Sequence, residues 1–531
     1  MSAVISALPG EIISVDPSTG EELGRVPSYT TDEVEAALAR SREAFAGWRA
    51  TSFAARRALV MAAREVILGE LDEIAGLISA ETGKPVAEAL AMEVAPVLDL
   101  MRHFADSAEK MLRPRRIGIG LYSLFGRTSK IIYHPLGPVA IIPAWNFPFS
   151  IPLGEATMAL MAGNSVLIKP SELTPMVGVK IGEIFQRGGA AAGLVQILTG
   201  AGDTGAALVK AGPAKVMFTG SVATGKKILA TAAEKMTPVV LELGGKDPMI
   251  VFEDADLELA AGGAVWGAFC NSGQACSSVE RLYVHESVAG VFTRMVVEKT
   301  RRLKQGRGTD DDVSVGAMTS EAQLYKVEEH VADFVRSGAV IETGGRRVEM
   351  DGTFFEPTVI SGASNEMLGM REETFGPTLP IAKFATEAEA IELANDSKFG
   401  LTASVWTRDA AKGRRVAEQI EAGTVCVNEV LYTHGIGQTP WGGVKNSGRG
   451  RTHGIDGLME LVEPRHIHLN RIALLPNAWW FPYSRLAKET FKAFATHFAS
   501  GSMVRFSRMV PLLHRRINEV KRSGSEGKNA D

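Results

Sequence analysis

The feature that most constrains the fold is a succession of short apolar runs, spaced by stretches long enough to hold a helix. Residues 139–142, 166–168, 195–198, 216–218 and 239–243 read Val-Ala-Ile-Ile, Val-Leu-Ile, Val-Gln-Ile-Leu, Val-Met-Phe and Val-Val-Leu-Glu-Leu. Strands of a parallel sheet, covered by helices on both faces, carry near-continuous apolar runs of this kind. They predict a doubly wound α/β domain, which binds ligands at the carboxyl ends of its strands. A second series at 249–252, 282–284, 340–342, 403–406 and 424–427 predicts another α/β domain, with the boundary near Gly244 and Gly245. At 531 residues the chain is too long for a single core, so two or three domains are expected. Thr30 and Glu33 have the spacing of a capping box, opening a helix to Trp48 and further helix to about Lys110. Residues 113–134 suit a projecting hairpin.

Several function classes drop out. A net charge of -4 argues against nucleic acid as the main partner. Three cysteines give neither a disulfide framework nor a zinc-ligand spacing, so no metal site is expected and a reducing compartment is the simpler setting. Residues 1–20 carry Glu11 and Asp16 where a signal peptide needs an apolar run, which reads as cytoplasmic. Residues 137–154 have no charge until Glu155, but Pro138, Pro143, Pro148 and Pro152 would break a membrane helix, so a buried irregular loop is expected.

Against this frame Cys270-Asn271-Ser272-Gly273-Gln274-Ala275-Cys276 stands out as a polar, glycine-containing turn in apolar sequence, delivering a thiol to the domain boundary. Glu242 lies in an apolar strand that runs into Gly244 and Gly245. Burial would raise its acid constant toward the range of a general base, and a structural ion pair is the alternative. Asn146 sits in Ala144-Trp145-Asn146-Phe147-Pro148, a stiff loop suited to aiming an amide at an oxyanion or to satisfying its neighbours' backbone. Phe218-Thr219-Gly220-Ser221-Val222-Ala223-Thr224-Gly225 leaves a strand and opens a helix, as a phosphate site or a plain turn would. It is not GxGxxG, so any dinucleotide site is a variant one. Lys169-Pro170-Ser171-Glu172 has a lysine and an acid spaced to meet a ribose, or is a solvated loop.

Together these pieces resemble the aldehyde dehydrogenase superfamily over residues 13–471. The family's Trp-Asn-Phe-Pro loop is matched by Trp145 to Pro148, its Lys-Pro segment by Lys169 and Pro170, and its phosphate-side turn by residues 218–225. Glu242-Leu243-Gly244-Gly245-Lys246, Gly273-Gln274-Ala275-Cys276, Glu372-Glu373-Thr374-Phe375-Gly376-Pro377 and Gly442-Gly443-Val444-Lys445-Asn446-Ser447-Gly448 follow in the family's order. The resemblance implies an α/β fold with a variant doubly wound dinucleotide-binding domain (1–115 and 137–244) and an α/β catalytic domain (245–450). It further implies an oligomerisation hairpin and strand (116–136 and 451–471), and leaves residues 472–531 as an extension.

The resemblance implies that Cys276 attacks an aldehyde, that Asn146 and the Cys276 N–H hold the oxyanion, and that Glu242 activates the water that hydrolyses the thioester. Trp145, Lys169, Glu172, Gly202, Gly220, Ser221 and Leu243 are then expected to line the NAD site, with Glu373 and Phe375 near the nicotinamide ribose. A carboxylate at Glu172 repels a 2'-phosphate, favouring NAD over NADP. Cys270 and Cys426 read as packing residues, and Arg281 as structural.

Two departures stand out. Succinate semialdehyde dehydrogenases generally carry Thr-Arg-Lys after the asparagine loop, where this chain has Ile151-Pro152-Leu153-Gly154-Glu155, so a short acidic aldehyde is disfavoured. Many members have a glutamate after Gly-Arg, implicated in proton relay, where this chain has Thr452. Phe147, Phe149 and Trp266 hint at an apolar aldehyde. The extension has ten Lys and Arg against four Asp and Glu, with Trp479-Trp480-Phe481-Pro482-Tyr483 ahead of Phe491, Phe494 and Phe498. A basic amphipathic helix of this kind can lie on an anionic membrane or pack on the protein's own body or a second copy. A homodimer or homotetramer is expected by resemblance. The competing functions are a CoA-acylating relative, disfavoured by Glu242, and a non-catalytic binding or structural protein, disfavoured by Cys276, Glu242 and Asn146 together.

Overall fold

The computed structural model describes residues 10–472, 475–499 and 501–526. The chain forms two compact units: the described part of Met1–Met111 with Pro135–Val462, and Leu112–His134 with Glu463–Asp531. The outermost residues of the expected segments, 1–9 and 527–531, lie outside the described residues.

The first unit holds two larger sheets. One has six strands in the order Gly448–Arg449, Val239–Leu243, Lys215–Gly220, Pro138–Ile142, Ser165–Ile168, Val195–Ile197, all parallel except the first. The chain builds outward from Pro138–Ile142 on one side, then returns to add Lys215–Gly220 on the other. The carboxyl ends of these two strands therefore diverge into oppositely directed connections, the switch point where such sheets open a crevice. The second sheet has seven strands, ordered Val340–Thr343, Thr358–Ser361, Thr378–Phe384, Val279–His285, Asp247–Val251, Thr402–Trp406, Thr424–Val427. Each apolar run read from the sequence is one of these strands.

The helix Thr31–Trp48 begins with the expected capping box, the Thr30 N–H donating to Glu33 Oε2 at 2.8 Å. The uncharged stretch at 137–154 is not one irregular loop. It holds the strand Pro138–Ile142, a turn, and the start of the helix Ser150–Ala162. Pro138 opens its strand and Pro152 lies in the first helical turn, places where a missing N–H breaks no ladder.

In the second unit Arg115–Ile117 and Arg127–Pro135 form an antiparallel hairpin, and Val462–Asn470 adds to its other side. The hairpin tip Gly120–Phe125 meets the extension. Tyr122 and Phe125 lie 4.7 Å and 6.3 Å, ring to ring, from Phe498, within a core that includes Phe506, Met509 and Leu513. Of the fates open to the extension's phenylalanines, packing on the protein's own hairpin is the one Phe494 and Phe498 adopt. Among the described residues no helix is long and apolar enough to cross a membrane.

Candidate active site

The helix Leu257–Phe269 stops at Cys270, and the chain passes through three positive φ values: Asn271 (49°), Ser272 (55°) and Gly273 (72°). Two adjacent non-glycine residues in this region store strain, which the surroundings must hold. Asn271 Nδ2 donates to the carbonyls of Asn146 and Gln274, each at 3.0 Å, and its N–H donates to Glu88 Oε2 at 2.9 Å. Ser272 Oγ donates to Gly316 O at 2.9 Å, and the Thr319 N–H to Gln274 Oε1 at 2.9 Å. Gly273 has no substitute, because a Cβ there would stand 2.2 Å from Gly376 O. The turn so fixed brings Cys276 to the wall of a cavity of about 440 Å³, shared with Glu242 and Asn146.

Glu242 is the fourth residue of Val239–Leu243, and its strand approaches the cysteine turn so closely that a Cβ at Gly245 would lie 2.3 Å from Cys276 O. Its carboxyl is held well above the usual carboxylate range, first by burial and then by the charge of Glu155. Arg451 and a hydrogen bond from Trp441 act the other way. Among the described residues its Oε1 has no hydrogen-bond partner. The Cys276 thiol is pushed up by burial, then by Asp247, Glu242 and Glu373, with only the Ser277 N–H opposing.

Asn146 is buried and donates one amide hydrogen to Gln274 O at 3.0 Å, leaving the other without a partner among the described residues. Its own carbonyl is clamped by Lys84 Nζ at 2.6 Å, and that lysine is paired at 2.6 Å with buried Glu93. Cys270 and Cys426 are buried, and burial pushes the Cys426 thiol to about 11. Arg281 is fully buried and donates to the carbonyls of Lys246, Leu393 and Ala394, as a packing residue does.

The expected cofactor residues fall into two groups. Trp145, Gly220, Ser221, Leu243, Glu373 and Phe375 line the cysteine cavity. Trp145 stands edge-on to Phe375 at 5.4 Å, and Glu373 accepts the Gly245 N–H at 3.0 Å. Burial, then Glu280, pushes the Glu373 carboxyl up to about 7. Lys169, Glu172 and Gly202 do not line the cavity but follow the strands Ser165–Ile168 and Val195–Ile197 along the same carboxyl edge. Lys169 Nζ is 3.1 Å from Glu172 Oε2, and the Glu172 side chain remains 48% exposed. Ser221 caps the helix Val222–Ala233 at the switch point, so backbone donors and a helix N-terminus stand where a diphosphate would bind. These residues fit a dinucleotide.

The family model described as the aldehyde dehydrogenase family matches residues 5–467. The chain belongs to the aldehyde dehydrogenase family. It is 41% identical over 483 residues to 4,4'-diapolycopene aldehyde oxidase of Methylomonas sp, covering 91% of this chain and 90% of that one. It is 37% identical to the peroxisomal aminoaldehyde dehydrogenase 2 of Pisum sativum, covering 89% and 95%. The solved structure of betaine aldehyde dehydrogenase from Staphylococcus aureus in complex with NAD+ matches with TM-score 0.84 at 34% identity, covering 89% of this chain and 94% of that one. The reaction class of this aldehyde dehydrogenase is accordingly the oxidation of an aldehyde to an acid with NAD(P).

The rest of the cavity wall is largely apolar: Met92, Phe147, Ile151, Trp266, Leu431 and Ile436 all face it. Phe149, expected beside them, is instead fully buried; its N–H donates to Glu93 Oε2 at 2.9 Å as the chain turns into the helix Ser150–Ala162. Glu155, His434, Trp441 and His453 also line the cavity and were not expected as site residues. Glu155 carried a signal, being the one charge in an otherwise uncharged helix. The histidines carried none, because their loop folds back from far along the chain.

Proposed function

We propose that this enzyme oxidises an apolar aldehyde to its carboxylic acid by the hydrolytic route. The observation that carries the reading is one cavity bounded at once by Cys276, Glu242 and Asn146 and by an aromatic and aliphatic wall. Glu242 takes the thiol proton, and the Cys276 sulfur attacks the carbonyl carbon to form a thiohemiacetal. The free amide hydrogen of Asn146 and the Cys276 N–H donate to the oxygen as it gains charge. NAD, when bound, would supply the hydride acceptor for the oxidation to the thioester level. Glu242 passes the thiol proton on to solvent and, again a carboxylate, removes a proton from water as the water oxygen bonds to the acyl carbon; the carbon–sulfur bond breaks, the acid leaves and the Cys276 sulfur is reprotonated.

Trp145, Gly220, Ser221 and Leu243 would hold the dinucleotide's middle, Lys169, Glu172 and Gly202 its adenosine end, and Glu373 and Phe375 its nicotinamide ribose. The half-exposed Glu172 carboxylate would accept from a ribose 2'-hydroxyl and repel a phosphate, which supports NAD over NADP. The apolar wall favours a long hydrocarbon chain over a short acidic one, in keeping with the relative named for 4,4'-diapolycopene aldehyde. An NADH absorbance assay across aldehydes of rising chain length and falling polarity tests this. We expect kcat/KM to climb with apolar length; a maximum at a short charged aldehyde would overturn the reading.

A CoA-acylating reaction is less well supported, since Glu242 stands where a hydrolytic base is needed. A non-catalytic scaffold gives no reason for Cys276, Glu242 and Asn146 to share one cavity. The proposed setting is cytoplasmic. The edge strand Val462–Asn470 and the hairpin beside it would pair with a second copy to build a dimer or a pair of dimers. In the extension Trp480, Phe481 and Tyr483 are 55%, 72% and 67% exposed beside Arg485, Lys488 and Lys492. Exposed aromatics flanked by cations support peripheral contact with an anionic lipid surface.

A further inference from the structure

The cavity that holds Cys276 and Glu242 has a further carboxyl, Glu155, in its wall. Glu155 belongs to the helix Ser150–Ala162, in which every residue is buried. No cation is paired with it among the described residues, and its Oε2 has no hydrogen-bond partner. Glutamate is rarely buried in this state unless it works. Burial pushes the Glu155 carboxyl up to about 8, and its charge in turn raises Glu242, so the two carboxyls feel each other across the cavity.

The other ionisable groups are accounted for: Arg451, which lowers Glu242, donates to Gly443 O and Gly450 O. Glu373, also on the cavity, is engaged with the Gly245 N–H, and Lys326 lines the cavity and lowers Glu373. His434 and His453 are kept neutral by burial, His434 at about 4 and His453 well below its usual value. On the elements packed against the Glu155 helix, Glu93 is paired with Lys84, Arg102 with Asp99 and Arg57 with Asp106. Arg56 donates to Met161 O, Arg64 to Leu98 O, and His103 acts on His453. Glu65 pairs with Arg64, while Glu109, Lys110 and Asp456 are exposed. Thr452, where many family members have a glutamate, lines the cavity as a buried hydroxyl that cannot ionise. That leaves Glu242 with one uncommitted carboxyl facing the same space.

We propose that Glu155 is a positioning residue that acts through Glu242: its free Oε2 accepts, by way of cavity water, the proton that Glu242 has taken from the hydrolytic water. In that transfer the O–H bond on Glu242 breaks, one forms on Glu155, and Glu155 releases the proton to solvent through the open cavity, so that Glu242 begins the next turnover as a carboxylate. Glu155 lines the same cavity as Thr452. The inference rests on the hydrolytic reading of Cys276 and Glu242.

The test is the pH dependence of kcat for Glu155→Gln in the full chain with NAD and a saturating apolar aldehyde. Gln keeps the size of Glu155 but cannot hold the proton. Its kcat should fall about tenfold or more with KM for the aldehyde little changed. With the Glu155 charge gone, Glu242 ionises more readily, so the rising limb of the profile should move to lower pH. Glu155→Asp should restore much of kcat and the original limb, and it keeps the question answerable if the Gln variant does not fold. A Gln variant whose limb overlays the wild type, or an Asp variant that recovers neither kcat nor limb, overturns the inference. Cys276→Ala run alongside separates the two failures: turnover there sinks the hydrolytic reading, whereas its loss together with an unmoved Gln limb sinks the role of Glu155 alone.

Discussion

Burial, then Asp247, Glu242 and Glu373, push the Cys276 thiol up, and in the proposed mechanism Glu242 takes up its proton. Glu242→Gln should lower kcat by at least about a hundredfold. The first-turnover burst of NADH should fall together with steady-state turnover, because Glu242 serves both the attack and the hydrolysis; a full burst or a wild-type turnover rate would contradict this. Because burial raises the Glu242 carboxyl, the active base is present only above its raised acid constant, and kcat should climb with pH well past the ordinary carboxylate range. At the adenosine end Glu172→Ser should narrow the NAD over NADP preference in kcat/KM by about tenfold. An unchanged or larger ratio would show that Glu172 does not meet the ribose. Cys276, Glu242 and Asn146 were legible because each sits in a local motif with a chemical reason. Glu155, His434 and His453 were not assigned in advance, since their meaning lies in which wall of a cavity they reach.

At the scale of elements, the parallel strands were plain because buried strands need apolar runs and little else. The strand Thr378–Phe384 was hidden by Pro380, which argues against a strand and is nevertheless paired with Ile360 in the ladder. The short strand Thr358–Ser361 offered too few apolar residues to register. The turn after Cys270 was legible as a turn, but its two left-handed non-glycine residues were not, since Asn271 and Ser272 are held there by partners distant in sequence. Asn271→Ala should cost about 1–2 kcal/mol, because alanine tolerates the left-handed region less well than asparagine and loses both side-chain bonds. Asn271→Gly should cost less. Urea-unfolding midpoints measure both, and equal losses would mean that the strain is not what the side chain offsets.

At the scale of the whole molecule, motif order along the chain made the family legible before any coordinate, because widely separated motifs rarely recur together by chance. The fate of the extension was left open by its own sequence: Phe494 and Phe498 turn to Tyr122 and Phe125, whereas Trp480, Phe481 and Tyr483 stay exposed. Replacing those three exposed aromatics with serine should abolish co-sedimentation with anionic vesicles while leaving NADH formation from a soluble aldehyde intact. Equal sedimentation of both proteins would remove the membrane from the account. The central claim is that one cysteine carries the oxidation, and NADH production by Cys276→Ala with NAD and an apolar aldehyde tests it most directly. The account predicts a rate at background, with the variant folded by its thermal transition; undiminished NADH formation would contradict it.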